Sequence, residues 1–145
     1  MSYPSFPIDW ISSVLVTSDN RFIISGSGDR SIKVFDFRSK QQIHHWQNAH
    51  KEDVQSMKLT SNDKFIISAS RDQSIKVFDL QTKQQVQHFQ NAHDKYVNTV
   101  AVTNDDKYIV SGSWDQSIRV FGFNPKLEPE LGNVKYFILS LTSLL

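Results

Sequence analysis

The chain of 145 residues carries 16 basic and 15 acidic side chains, a net charge of +1 with the signs interspersed, so no basic run is present to follow phosphates and nucleic-acid binding finds no support in charge. A hydrophobic fraction of 39% with 10 Phe, 4 Tyr and 3 Trp suffices for the core of one ordinary domain, and the lack of cysteine removes disulfides and thiolate metal sites. No stretch reaches the roughly 20 apolar residues of a membrane helix, and "MSYPSFPIDW" lacks the apolar centre of a secretory signal, so the expected location is the cytoplasm, with the nucleus left open.

Along the chain, "SYPSF" (2–6) reads as a remnant of a last strand, and one phrase then recurs at a fixed interval of 43 residues. "SGSGDRSIKVFDF" (25–37) returns as "SASRDQSIKVFDL" (68–80), with nine identities in thirteen positions, and again as "SGSWDQSIRVFGF" (111–123). The linkers "KQQIHHWQNAH" (40–50) and "KQQVQHFQNAH" (83–93) share eight of eleven. Self-similarity at one period decides the architecture before any local assignment.

The second copy shows the unit most clearly. "DVQSMKL" (53–59), "FIISAS" (65–70), "SIKVFDL" (74–80) and "QVQHFQ" (85–90) carry β-branched and aromatic residues, while the breaks between them carry Asn, Asp, Ser and Lys. No segment sustains a 3.6-residue apolar period for three turns, which argues against helix. The second strand, "FIIS", "FIIS" or "YIVS", is apolar at successive positions and must lie in a sheet covered on both faces. The expected fold is therefore all-β, a partial β-propeller of about three four-stranded antiparallel blades over residues 8–50, 51–93 and 94–123. From Asn124 the period is lost through "NPKLEPELGN", although "VKYFILSL" (134–141) is a candidate outer strand for the third blade within a divergent tail of 124–145.

The unit resembles the WD-repeat β-propeller family, whose pattern runs from a Gly-His pair through an Asp to Trp-Asp. Here the pair is Ala49-His50 or Ala92-His93, the Asp is Asp29, Asp72 or Asp115, and the ending is Phe35-Asp36, Phe78-Asp79 or Phe121-Gly122. The resemblance covers residues 8 to 123 and implies a structural polar network of His50, Ser68 and Asp72 in the second copy and His93, Ser111 and Asp115 in the third, with Ser25 and Asp29 in the first. Pro7 stands where the first histidine belongs, so Asp29 should lack its partner and the first blade should be the loosest. Phe for Trp in the third strand removes an indole N–H, so the network should shrink to three members, each Ser turning to a backbone carbonyl.

Ser, His and Asp could also be read as a nucleophilic triad, which is the alternative function, a hydrolase. A catalytic site needs one unique constellation with a pocket, whereas these residues recur with the period, so no catalytic, metal or cofactor role is expected of them. His44 and His45 are adjacent in a strand, point to opposite faces and cannot share a metal. "SGSGD" (25–29) is no phosphate loop, since its glycines become Ala69 and Arg71 in the next copy.

Recognition is expected where the copies differ at loop ends. The residue before the turn Asp is Gly28, Arg71 or Trp114; the residue opening the first strand is Trp10, Asp53 or Tyr96; two positions on stand Ser12, Gln55 and Asn98. The resemblance places these around the narrow top of the propeller and implies a non-catalytic scaffold for other proteins or peptides, with Trp10, Arg71, Tyr96 and Trp114 as contacts and Asp53 and Asn98 in support. Neither nucleic acid nor membrane is an expected partner. Three blades are fewer than a closed ring needs, which leaves three readings: a piece of a longer propeller, copies that associate through their open ends, or a truncated chain without independent function.

Overall fold

The computed structural model describes residues 9–124 and the backbone of 136–137; "SYPSF" and most of the tail lie outside the described residues. Within them the chain forms three four-stranded antiparallel sheets and no α-helix. Blade 1 comprises β1 (Ile11–Val16), β2 (Phe22–Ser27), β3 (Ile32–Asp36) and β4 (Gln42–Trp46). Blade 2 comprises β5 (Val54–Leu59), β6 (Phe65–Ser70), β7 (Ile75–Asp79) and β8 (Gln85–Phe89). Blade 3 comprises β9 (Val97–Val102), β10 (Tyr108–Ser113), β11 (Ile118–Gly122) and β12 (Tyr136–Phe137), the last pairing with β11 as the outer strand.

The turns explain why strands of this length stop where they do. Nine non-glycine residues have positive φ, and they fall in register: Asn20, Asp63 and Asp106 after the first strands, Arg30, Gln73 and Gln116 after the second, Lys40 and Lys83 after the third, and Asn91 in a linker. At the first of these turns Thr17, Thr60 or Thr103 bonds Asp19, Asn62 or Asp105 two residues on, the short-range bond by which polar side chains compete with strand pairing. Each first strand also carries a bulge, at Ser12, Gln55 and Asn98, where two residues face one across the pair.

Adjacent blades meet face to face. Ile24, Ile32 and Val34 of blade 1 close on Val54, Met57, Ile66, Phe78 and Leu80 of blade 2, and Phe65, Ile67, Ile75 and Val77 of blade 2 close on Val97, Val100, Ile109 and Phe121 of blade 3. The first strands β1, β5 and β9 lie side by side. The apolar second strand behaves as its doubly covered pattern requires: β6, with a blade on each side, is buried along its whole length, whereas β2 and β10 each keep a partly exposed face. Trp46 tilts against Phe78 and Phe89 against Phe121, ring centroids 5.0 Å apart in both pairs, so the third-strand phenylalanines of blades 2 and 3 each pack on an aromatic ring of the preceding blade's outer strand.

Candidate functional site

Two kinds of site grow from this frame, one buried and repeated, the other exposed and different in each blade. In the buried one, the linker after β4 turns His50 inward beneath the β6–β7 turn of blade 2. The ring is 2% exposed, with Nδ1 2.9 Å from Asp72 Oδ2 and Nε2 2.7 Å from Ser68 Oγ. A carboxylate can only accept, so Nδ1 carries the proton and Ser68 donates its hydroxyl to Nε2. His93 repeats the arrangement with Asp115 at 2.9 Å and Ser111 at 2.6 Å. Asp72 also accepts from Lys51 N and, through Oδ1, from the backbone and hydroxyl of Ser74, and Asp115 accepts likewise from Asp94 N and Ser117.

Ser74 and Ser117 are members that the expected trio omitted. Each lies 3.1 Å from its histidine Nδ1 as well as on its Asp, so the network has four side chains and does not shrink to three. The signal was an Asp-x-Ser spacing in every copy, Asp29-Arg30-Ser31 included, which closes an Asx-type turn by its own geometry. Lys76 O is 3.4 Å from Ser68 Oγ, but the single hydroxyl proton is directed at His50.

Charge follows from these bonds. Burial alone would raise the Asp72 and Asp115 carboxyls, but the histidine, serine and backbone donors outweigh it and hold both well below the usual carboxylate range. Burial pushes His50 and His93 down, against the pull of their Asp partners, and keeps both rings neutral near pH 7. In blade 1 Asp29 is exposed and its side chain accepts from the backbone and hydroxyl of Ser31 with no histidine beside it, while Ser25 is half-buried.

The Ser68–His50–Asp72 chain has the connectivity of a hydrolytic triad, yet Ser68 is 0% exposed and Ser111 1%. What the arrangement does is tie the linker leaving one blade to the turn of the next. Among the described residues no three His, Cys, Asp or Glu side chains gather to hold a metal ion. His44 packs edge-on to Trp46, centroids 4.3 Å apart, and His45 is exposed.

The second site lies along one edge of the sheets. In all three blades the residue before the turn Asp donates its N–H to the carbonyl of the residue opening the first strand: Gly28 to Trp10 and Arg71 to Asp53 at 3.0 Å, Trp114 to Tyr96 at 3.1 Å. On this constant backbone the side chains differ. Arg71 Nη1 is 3.5 Å from Asp53 Oδ2, its guanidinium carbon lies 5.4 Å from the Tyr96 ring centroid, and Tyr96 is 5.3 Å from Trp114. Four of the six expected contact residues thus form one row across blades 2 and 3, ending in Trp114 at 60% exposed.

Trp10, also exposed, stands apart over Gly28, where an added Cβ would come within 2.9 Å of its ring. Asn98 is exposed in the bulge beside Tyr96, whereas its blade-1 counterpart Ser12 turns inward and bonds the carbonyls of Gly26 and Val54. Bonds between blades went unforeseen: Ser13 and Ser56 hydroxyls accept from Met57 N and Val100 N, and Ser18 and Ser61 donate to Asp63 and Asp106. Their partners lie 44 or 45 residues away, beyond any local pattern.

The family model described as WD domain, G-beta repeat matches residues 6–36, 40–79 and 83–122. Among solved structures, the crystal structure of RRP9 WD40 repeats is similar with a TM-score of 0.77 at 24% identity, over 91% of this chain and 38% of that one, a likeness of fold. The chain thus spans well under half of that structure's length. A comparison with curated proteins gave no match.

Proposed function

The chain belongs to the WD40 family, whose repeats serve as protein-interaction scaffolds, and on that premise we propose that it binds a partner protein or peptide through the row Asp53, Arg71, Tyr96 and Trp114. The observation that carries this reading is the contiguity of the row: an ion pair, a cation over an aromatic ring and an aromatic pair join four residues that come from two blades and are unlike their counterparts in blade 1. Aromatic and arginine side chains dominate binding energy where they cluster. The Arg71 side chain is 39% exposed, so its guanidinium can meet a partner's carbonyl or carboxylate. Trp114 and Tyr96 supply the apolar surface beside it, and Trp10 and Asn98 extend the contact. Action in the cytoplasm is part of the proposal.

The test is affinity capture with the wild-type chain, Trp114→Ala, Arg71→Ala and an outer-strand control, Gln85→Ala. A specific partner should be lost by at least tenfold with the first two, the effect of about 1.4 kcal/mol or more expected of a hot-spot residue, and kept by the control. Equal capture by all four proteins would refute the assignment of this edge.

A further inference from the structure

We propose that two copies of this chain associate head to tail through the open faces of blades 1 and 3, closing a six-bladed ring. The occupant of each face is read from the two blade interfaces inside the chain. On blade 2 the face toward blade 1 is made by Val54, Met57, Ile66 and Phe78, each no more than 1% exposed. The same four positions on blade 1 are Ile11, Val14, Ile23 and Phe35, equally apolar, yet Ile11 is 57% and Val14 59% exposed. At the other end, the face by which blade 2 covers blade 3 includes Phe65, Ile67, Ile75 and Val77, all buried. The blade 3 counterparts are Tyr108, Val110, Ile118 and Val120, with Tyr108 at 39% and Ile118 at 42%. Each open face therefore has the side-chain chemistry that the other type of face covers twice within the chain.

The polar bonds between blades are also prepared. Ser13 and Ser56 each accept an N–H from the next blade, and the third copy of this position is Thr99, exposed and again a hydroxyl, in register with Val14 N of a second chain. Ser18 and Ser61 give backbone N–H groups to Asp63 and Asp106. The corresponding pair across the new junction is Asn104 N with Asn20, whose side-chain oxygen still accepts and whose φ of 57° equals that of Asp63. A face that repeats with the same hand at both ends makes a heterologous contact, which must close or polymerise. Two copies bring six blades, inside the roughly four to eight of propeller rings, whereas three copies bring nine.

Sedimentation equilibrium of the 145-residue chain over a dilution series tests this, independently of any partner on the Arg71 edge. The expected mass is twice that of one chain at high concentration, falling toward one chain on dilution. Val14→Asp and Ile118→Lys, both at exposed positions and so compatible with the fold, should each leave single chains with unchanged circular dichroism. Mixed together they should pair again, more weakly, because the mixture restores one junction with two native faces. Single chains at every concentration, unlimited growth, a pair unaffected by either substitution, or a mixture that stays dissociated would each overturn the proposal.

Discussion

His50→Ala should be among the most damaging single substitutions in the chain, and the same network supplies its own control. The substitution removes the bond from Nδ1 to the Asp72 carboxylate, worth roughly 1.5–3 kcal/mol because one member is charged, and the bond from Ser68, worth roughly 0.5–1.5 kcal/mol. Asp72 keeps Ser74 and Lys51 as donors, so it is not abandoned. Ser68, fully buried, retains only the distant Lys76 carbonyl. Together with the cavity left by a buried ring, the loss should be about 3–5 kcal/mol, in the range of breaking one side of a buried pair. In urea with a slope of about 2 kcal/mol/M, the midpoint should fall by roughly 1.5–2.5 M. Asp29→Ala is the control: blade 1 has no histidine on this carboxylate, Asp29 is exposed, and the bonds lost are to neighbouring serines such as Ser31, so the cost should be about 1 kcal/mol. Tryptophan fluorescence during urea unfolding reads both. Midpoint losses of equal size would show that the histidine network does not hold adjacent blades together, and the structural reading of His50 and His93 would fall.

Acid should weaken the fold in two stages. His50 and His93 are held neutral below their ordinary pKa of 6.5, so the unfolded chain binds protons first, and stability present above about pH 6.5 is lost as pH falls below it; Asp72 and Asp115, also depressed, add a second loss below about 3.8. Urea midpoints from about pH 8 down to about pH 4 check the first stage, and His50→Ala should flatten it. Gly26→Ala would bring a Cβ within 2.8 Å of Val54 and 3.2 Å of Met57 inside the interface of blades 1 and 2, and should cost about 1–3 kcal/mol by overpacking. Gly112→Ala, at the equivalent position on the open face of blade 3, meets only the exposed Thr99 and should change the urea midpoint by much less.

Strand positions were legible because they depend on neighbours in sequence. "FIISAS" at 65–70 coincides with β6, and "QVQHFQ" at 85–90 contains β8, since β-branched runs and Asx-rich breaks act locally. The trio of His, Ser and Asp was legible through its recurrence. Ser74 was not recognised although its spacing to Asp72 was present, because a serine that opens a strand looks like ordinary turn composition. The bulge at 12, 55 and 98 was invisible for another reason: Ser, Gln and Asn share no signature, and the extra residue shows only in the pairing of β1, β5 and β9 with their neighbours. The clasps from Ser18 to Asp63 and from Ser61 to Asp106 depend on how one blade turns against the next, and no single repeat contains that information.

The division between fixed and variable positions has a mechanical basis. At the edge that carries Trp10, Asp53 and Tyr96, the bond common to all three residues is made by the backbone carbonyl, which accepts from Gly28, Arg71 or Trp114 through backbone N–H. The turn below is held by Asp72 or Asp115 and their histidine and serine donors, bonds to which those side chains do not contribute. A side chain at 71, 96 or 114 can therefore change in size or charge while every hydrogen bond that shapes the turn remains. The cation placed over Tyr96 and the exposed face of Trp114 can thus vary with a binding partner, because no hydrogen bond that shapes the turn depends on the identity of those side chains.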